Sequence, residues 1–266
     1  MTRNPTSPWI KNMRQKLGQH FLKDKNVLER IAALALENDP ATILEIGPGH
    51  GELTSHLLVG QRPIVAIELD RDLAARLKAR LGNPGELTIK QGDVRKELAE
   101  IVSVLPRPLH IVGNLPYYLS SFLFRQISKL PDSPERCVFL IQKEVAQRAA
   151  AEAGEMNKLA ASLRWWSKPK VAFTVPPGAF TPPPKVDSAV LVLERDVKDG
   201  REDNYFRIVR AMFAQPRKTA VNNLSAGLSI SKEDAEKMMR RVGAKPDCRP
   251  QDLPAHDLSL LAAQLG

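Results

Sequence analysis

The sequence predicts an α/β fold, a parallel sheet with helices on both faces, followed by a small all-helical C-terminal domain. Three observations carry this. Short apolar runs recur from residue 43, the first two starting 21 residues apart. Helix-like stretches separate them. After about residue 196 the apolar runs give way to amphipathic segments of helical period. Strands alternating with helices imply parallel crossover units.

The expected strands are ILEI (43–46), IVAIEL (64–69), LTIKQGD (87–93), HIVGN (110–114) and RCVFLI (136–141). Between the second and third, Leu73, Leu77 and Leu81 fall on one helix face, and Gly82 and Pro84 end that helix. KVAFTV (170–175) and SAVLVLE (188–194) flank a proline-dense stretch with no long helix between them, so they read as an antiparallel pair completing the sheet. Residues 1–196 form the expected first domain and 197–266 the helical one. In the latter, Phe206, Val209, Met212 and Phe213 share a helical face. SKEDAEKMMRRVG opens on a serine cap and ends at a glycine, and LPAHDLSLLAAQLG closes the chain as a helix.

Composition narrows the function. The 266 residues are 43% hydrophobic and 26% charged, ordinary for a globular chain. No run approaches a membrane span, no secretory signal opens the chain, and two cysteines build no disulfide framework, so the expected location is cytoplasmic. Cys137, in an apolar run, reads as a buried thiol. The net charge of +9 suits a polyanionic partner. Arg3, Lys11, Arg14, Lys16, Lys23 and Lys25 face only Asp24 in the first 25 residues, a basic arm able to meet phosphates.

The chemistry concentrates at strand ends. ILEIGPGHGELT carries a strand into Gly47, Gly49 and Gly51 and then into a helix. Glycines let the backbone bend and approach a ligand. The spacing is G-x-G-x-G, and Glu45 stands just before it. A carboxylate there is awkward for a pyrophosphate and comfortable for a cation, such as the sulfonium and ammonium of S-adenosylmethionine. Glu68 ends the second strand, where an acidic residue accepts ribose hydroxyls in nucleoside-binding sheets, or is simply solvated. Asp93 ends the third, as an acceptor for an adenine amine or as a helix N-cap. The five histidines show no metal-ligand spacing, and no metal is expected. Lys143, Glu144 and Arg148 read as a solvated helix face. VGNLPYYLS (112–120) places an amide, a stiff proline and an aromatic in one loop, a set suited to holding a planar polar group.

These stretches carry a resemblance. KLGQHFL (16–22), LEIGPGHGELT (44–54), AIELD (66–70), GDV (92–94), GNLPYYLS (113–120), LIQKEVAQR (140–148), VPPGAFTPPPKVDSAV (175–190) and QPRKT (215–219) together resemble the ribosomal RNA adenine dimethyltransferases, over nearly the whole chain. The resemblance implies a Rossmann-like S-adenosylmethionine-dependent methyltransferase. It would dimethylate N6 of two adjacent adenosines near the 3′ end of 16S rRNA, within the immature 30S subunit, as part of ribosome biogenesis. It would be a monomer. His20 and Leu22 match the segment over the methionine part of the cofactor, Gly47 the methionine-side loop, Glu68 the ribose ligand and Asp93 the adenine ligand. Asn114 matches the residue between cofactor and target base. Leu115 and Pro116 complete the rigid loop beside it, the Leu115 carbonyl serving as a second acceptor for the amine. Tyr117 and Phe180 match the aromatics that sandwich the base. The chain departs from the family at Gln215-Pro216 and at MNKLAAS (156–162), and has His20 where many relatives have Asn. A resistance-type 23S rRNA dimethyltransferase and a catalytically silent RNA-binding factor are the competing readings.

Overall fold

The computed structural model describes residues 20–82, 84–116, 118–196 and 202–266. Tyr117 and most of the basic arm lie outside the described residues. The first paired strand is β1 (Phe21–Leu22). Helix α1 (Lys25–Leu36) follows, capped by Asp24, whose carboxylate accepts from the Val27 amide at 3.1 Å. Its buried residues Val27, Leu28, Ile31, Ala32 and Ala35 repeat at the three- and four-residue steps of an apolar helix face.

Strands β2 (Thr42–Ile46), β3 (Ile64–Glu68), β4 (Leu87–Gln91), β5 (Leu109–Asn114) and β6 (Arg136–Gln142) start within two residues of the sequence expectation. The third ends earlier than expected, at Gln91, because Gly92 and Asp93 turn into the next helix. β2 pairs in parallel with both β3 and β5, β3 with β4, and β5 with β6. The main sheet also includes β7 (Ser167–Val175) and β9 (Ser188–Arg195), in the order β4-β3-β2-β5-β6-β9-β7. A short strand β8 (Phe180–Thr181) instead pairs antiparallel with β1, Leu22 opposite Phe180.

The chain therefore starts mid-sheet at β2, steps out to β4, then returns to β5 and steps out the other way. That reversal opens a crevice at the carboxyl ends of β2 and β5, where sheets of this kind take ligands. β7 begins three residues before the expected start and runs through Pro169. It lies at the sheet's edge, where a missing N–H is tolerated.

The chain forms two compact units, residues 1–143 with 171–193, and residues 144–170 with 194–266. The stretch 144–170, assigned from the sequence to the first domain, thus groups with the C-terminal helices. In the second unit, helix α8 (Glu202–Met212) buries Tyr205, Ile208, Val209, Ala211 and Met212. Its buried face centres on Tyr205 rather than Phe206, and the Tyr205 hydroxyl donates to the Ala161 carbonyl at 2.8 Å. Helix α9 (Ala220–Leu228) is capped by Thr219, and α10 (Lys232–Arg241) by Ser231 as expected. Cys137 is fully buried. Among the described residues no helix is long and apolar enough to cross a membrane.

Candidate active site

One cavity of about 610 Å³ lies in the first unit, and its size suits a bound small molecule. Its lining includes His20, Leu22, Gly47, Glu68, Asp93, Asn114, Leu115, Pro116 and Phe180. Every described residue singled out from the sequence for the site is therefore in one place. Tyr117 falls outside the described residues.

The nucleoside half is built on β2, β3 and β4. Gly47 leaves β2 with its amide bonded to the Ile67 carbonyl at 2.9 Å. At Gly49, φ is +60°, and a Cβ would come within 3.1 Å of the Phe21 ring. Only glycine suits both conditions. Glu68 is 5% exposed; its Oε2 accepts from the Gly49 amide at 3.0 Å and its Oε1 from the Asp70 amide at 2.9 Å. The carboxylate thus ties the glycine loop to the next strand while keeping lone pairs for a further donor. Burial pushes its pKa up.

Asp93 fulfils the N-cap reading, accepting from the Arg95 amide at 3.0 Å at the start of the helix Val94–Val104. It also holds the Arg95 guanidinium in a two-pronged ion pair, Nη2 to Oδ2 at 2.7 Å and Nε to Oδ1 at 2.9 Å. Arg95 holds the Asp93 carboxyl below the usual carboxylate range. The Glu97 carboxylate accepts from the Asp93 amide at 2.8 Å, so backbone and side chain are both fixed.

The other half is built on β5 and the β1–β8 ribbon. Leu115 continues the ladder, its amide bonded to the Leu140 carbonyl at 3.0 Å. The Leu115 carbonyl accepts no backbone amide among the described residues. Asn114 donates Nδ2 to the His20 carbonyl at 3.0 Å, which leaves its own carbonyl oxygen as an acceptor. The His20 ring hydrogen-bonds the Pro182 carbonyl through Nδ1 at 2.8 Å, and the Lys23 amide reaches Ala179 at 2.8 Å. Lys23 also pairs with Glu52. The pair ties this ribbon to the start of the helix Glu52–Leu57.

The sequence suggested that Glu45, just before the loop, suits a cation. In the structure it lines the cavity at 1% exposure, with Oε2 unpartnered among the described residues. Burial pushes its pKa up to about 8. An orphaned carboxylate oxygen wants a cationic partner. Glu45, Glu68 and Asp93 thus fit a nucleoside that bears positive charge, as S-adenosylmethionine does.

Elsewhere, His110, the second residue of β5, has Nδ1 bonded to the Ala35 carbonyl at 2.7 Å. Glu144 and Arg148 are exposed, as a solvated helix face requires, whereas Lys143 is half-buried and pairs with Asp187 at 3.2 Å.

A family model described as ribosomal RNA adenine dimethylase matches residues 10–257. The chain belongs to that family. A ribosomal RNA small subunit methyltransferase A of Dehalococcoides mccartyi (strain ATCC BAA-2266 / KCTC 15142 / 195) is 34% identical over 252 residues, covering 93% of this chain and 87% of its own. The protein of the same name from Acinetobacter baylyi is 35% identical over 258 residues, covering 95% and 92%. The crystal structure of the 23S rRNA methyltransferase ErmE superposes with a TM-score of 0.76 at 23% identity, over 92% of this chain and 99% of that one. This last likeness concerns the fold. As a ribosomal RNA adenine dimethylase, the chain is a Rossmann-like methyltransferase whose methyl donor is S-adenosylmethionine.

Proposed function

We propose that the protein dimethylates N6 of two adjacent adenosines near the 3′ end of 16S rRNA, in the immature 30S subunit, as a step of subunit biogenesis. It acts as a monomer without metal. The observation that carries this reading is the state of Asn114. Its amide nitrogen is already bonded to His20, so its carbonyl oxygen is the atom left to meet an incoming amine. The small-subunit assignment draws on the relatives of that name at 34–35% identity, against 23% for the 23S enzyme.

S-adenosylmethionine supplies a methyl group activated by its sulfonium. His20, Leu22, Gly47, Glu68 and Asp93 hold this donor, with Glu68 accepting ribose hydroxyls and Asp93 the adenine amine. Glu45 faces its positive charge. The amine of the target adenine is a weak nucleophile, because its lone pair is delocalised into the ring. Asn114 Oδ1 accepts one N6 hydrogen and the Leu115 carbonyl the other. Two acceptors turn the lone pair toward the methyl group and stabilise the positive charge that develops on nitrogen. Pro116 keeps both acceptors in place before the base arrives. Tyr117 and Phe180 stack on the base, each contributing about 1–3 kcal/mol. The proton on N6 becomes acidic once nitrogen is alkylated and leaves to water, so no strong base is needed.

In the second unit, Arg217, Lys218 and Arg241 face solvent without a side-chain partner among the described residues and meet RNA phosphates. Arg240 pairs with Glu236 at 3.1 Å and contributes less than its charge suggests.

Labelled methyl transfer to immature small subunits, with purified large-subunit RNA alongside, tests the proposal. Label in N6,N6-dimethyladenosine of the small-subunit RNA is expected. Label confined to large-subunit RNA supports the resistance-type reading. A folded protein that binds the donor and labels neither is a silent RNA-binding factor.

A further inference from the structure

The cavity lining continues past the residues expected to hold the donor. Its polar residues follow the strand order: Asp93 after β4, Glu68 on β3, Glu45 on β2, Asn114 on β5, and then Ser188 at the start of β9. Ser188 lies past Asn114, on the side away from the glycine loop. The Lys143 amide donates to the Asp187 carbonyl at 3.0 Å, which fixes this corner against the end of β6.

Ser188 is 2% exposed, and it lines the cavity. Its hydroxyl has no hydrogen-bond partner among the described residues. Ser188 Oγ is not one of the sealed polar atoms that lack a partner, so it opens onto the cavity, where an acceptor on a ligand can replace water. Phe180, 5% exposed, lines the same cavity. The cavity therefore offers an apolar ring on Phe180, an acceptor on Asn114 and a hydroxyl donor on Ser188.

We propose that Ser188 is a specificity-determining residue that donates a hydrogen bond to a ring nitrogen flanking the exocyclic amine of the target adenine. This rests on the function proposed above. β5 and β9 are two strands apart, about 10 Å at the usual strand spacing. Both side chains reach into the cavity from those strands, and to engage neighbouring atoms of one purine edge their oxygens must lie side by side, a few ångström apart. Adenine presents a donor, its N6 hydrogen, beside an unprotonated ring nitrogen. Asn114 and Ser188 offer the complementary acceptor and donor. Guanine presents an oxygen at the amine's position and would leave the Asn114 oxygen facing another acceptor.

The test uses small subunits whose 3′ RNA segment is synthetic, with the target adenosine kept or replaced by 1-deazaadenosine or 7-deazaadenosine. Single-turnover methyl transfer is measured for the wild-type protein and Ser188→Ala. The wild type is expected to slow about ten-fold on one analogue, the worth of one neutral hydrogen bond. Ser188→Ala is expected to slow about ten-fold on adenosine and no further on that analogue, with donor affinity unchanged. A purely structural role would not produce this non-additivity. The proposal is overturned if the losses from variant and analogue multiply, if neither analogue slows the wild type, or if Ser188→Ala matches wild type on adenosine. Ser188→Cys, close in volume with a weaker donor, supports the same comparison should Ser188→Ala fail to fold. A wild-type protein that methylates no adenosine at all overturns the proposed function itself, whereas multiplying losses remove only the role of Ser188.

Discussion

Asn114 and His20 stand 94 residues apart in sequence, and the Asn114 side-chain amide donates to the His20 backbone carbonyl at 3.0 Å. This bond settles which end of the Asn114 amide faces the cavity. It also joins β5 to the β1–β8 ribbon that lines the same cavity. Because the bond uses the His20 backbone, a His or an Asn at that position orients Asn114 equally well.

Replacing Asn114 by Ala removes the acceptor and leaves the strand in place. Turnover should fall on the order of 100-fold, the scale of losing one preorganised polar contact to developing charge. Donor affinity should stay within several-fold. Single-turnover rates and calorimetric binding separate the two effects. An equal loss of both would make Asn114 chiefly a donor ligand.

Gly113 sets the position of Asn114. A Cβ there would meet the Ile46 backbone oxygen at 2.6 Å, and a backbone atom cannot swing aside. Gly113→Ala should therefore push β5 from β2, lower the melting temperature by several degrees and abolish methyl transfer. Overpacking of this kind costs about 1–3 kcal/mol. Thermal denaturation together with activity reports both; unchanged melting and turnover would show that the two strands separate freely.

Glu45 makes stability depend on pH. Burial raises its folded pKa to about 8, from an ordinary value of 4.5. At pH values between the two, the unfolded chain gives up a proton that the folded protein keeps. Stability should fall as pH rises through this window and level off above its upper end. Glu45→Gln lacks the effect, so its stability relative to wild type should climb across the window. Urea denaturation of both proteins at several pH values measures this. A constant difference would mean that Glu45 is already ionised in the fold. Donor binding, which brings positive charge beside Glu45, should release a proton near neutral pH.

The parts legible in the sequence were local ones. Apolar period and turn residues marked β2 to β6, and the Ser231 cap follows from its position before an amphipathic run. Glu68 and Asp93 were expected at the cavity because strand ends are where such sheets place ligand groups, and both line it. Long-range pairings left no such trace. Nothing near Asp93 announces that Arg95 folds back onto its carboxylate, since i,i+2 residues face each other only where a helix begins. Phe21 beneath Gly49, Lys23 on Glu52 and His20 on Asn114 are set by the β1–β8 ribbon, whose two-residue strands are too short to show a period. Pro169 hid the first residues of β7 because an edge position cannot be read from sequence. The isolation of Glu45 depends on depth in the sheet, not on its neighbours in the chain.

In the helical unit, the buried Asn223 amide accepts from the Gln215 amide and donates to the carbonyls of Gln215, Lys218 and Thr219, at 3.0–3.3 Å. The loop that displays Arg217 and Lys218 is thereby held from below. Arg217→Ala and Lys218→Ala should each weaken RNA binding and lower the slope of log affinity against log salt by about 0.7 to 0.9. Filter binding over a salt series measures this. Parallel lines for wild type and variants would remove these cations from the interface.

The most direct test is a crystal structure with S-adenosylhomocysteine and an adenosine analogue bound together. The exocyclic amine is expected within hydrogen-bonding distance of both Asn114 Oδ1 and the Leu115 carbonyl, its ring against Phe180, with the homocysteine sulfur in line beyond it. A purine bound elsewhere, or that end of the cavity closed by side chains with the amine unable to reach Asn114, would contradict the account.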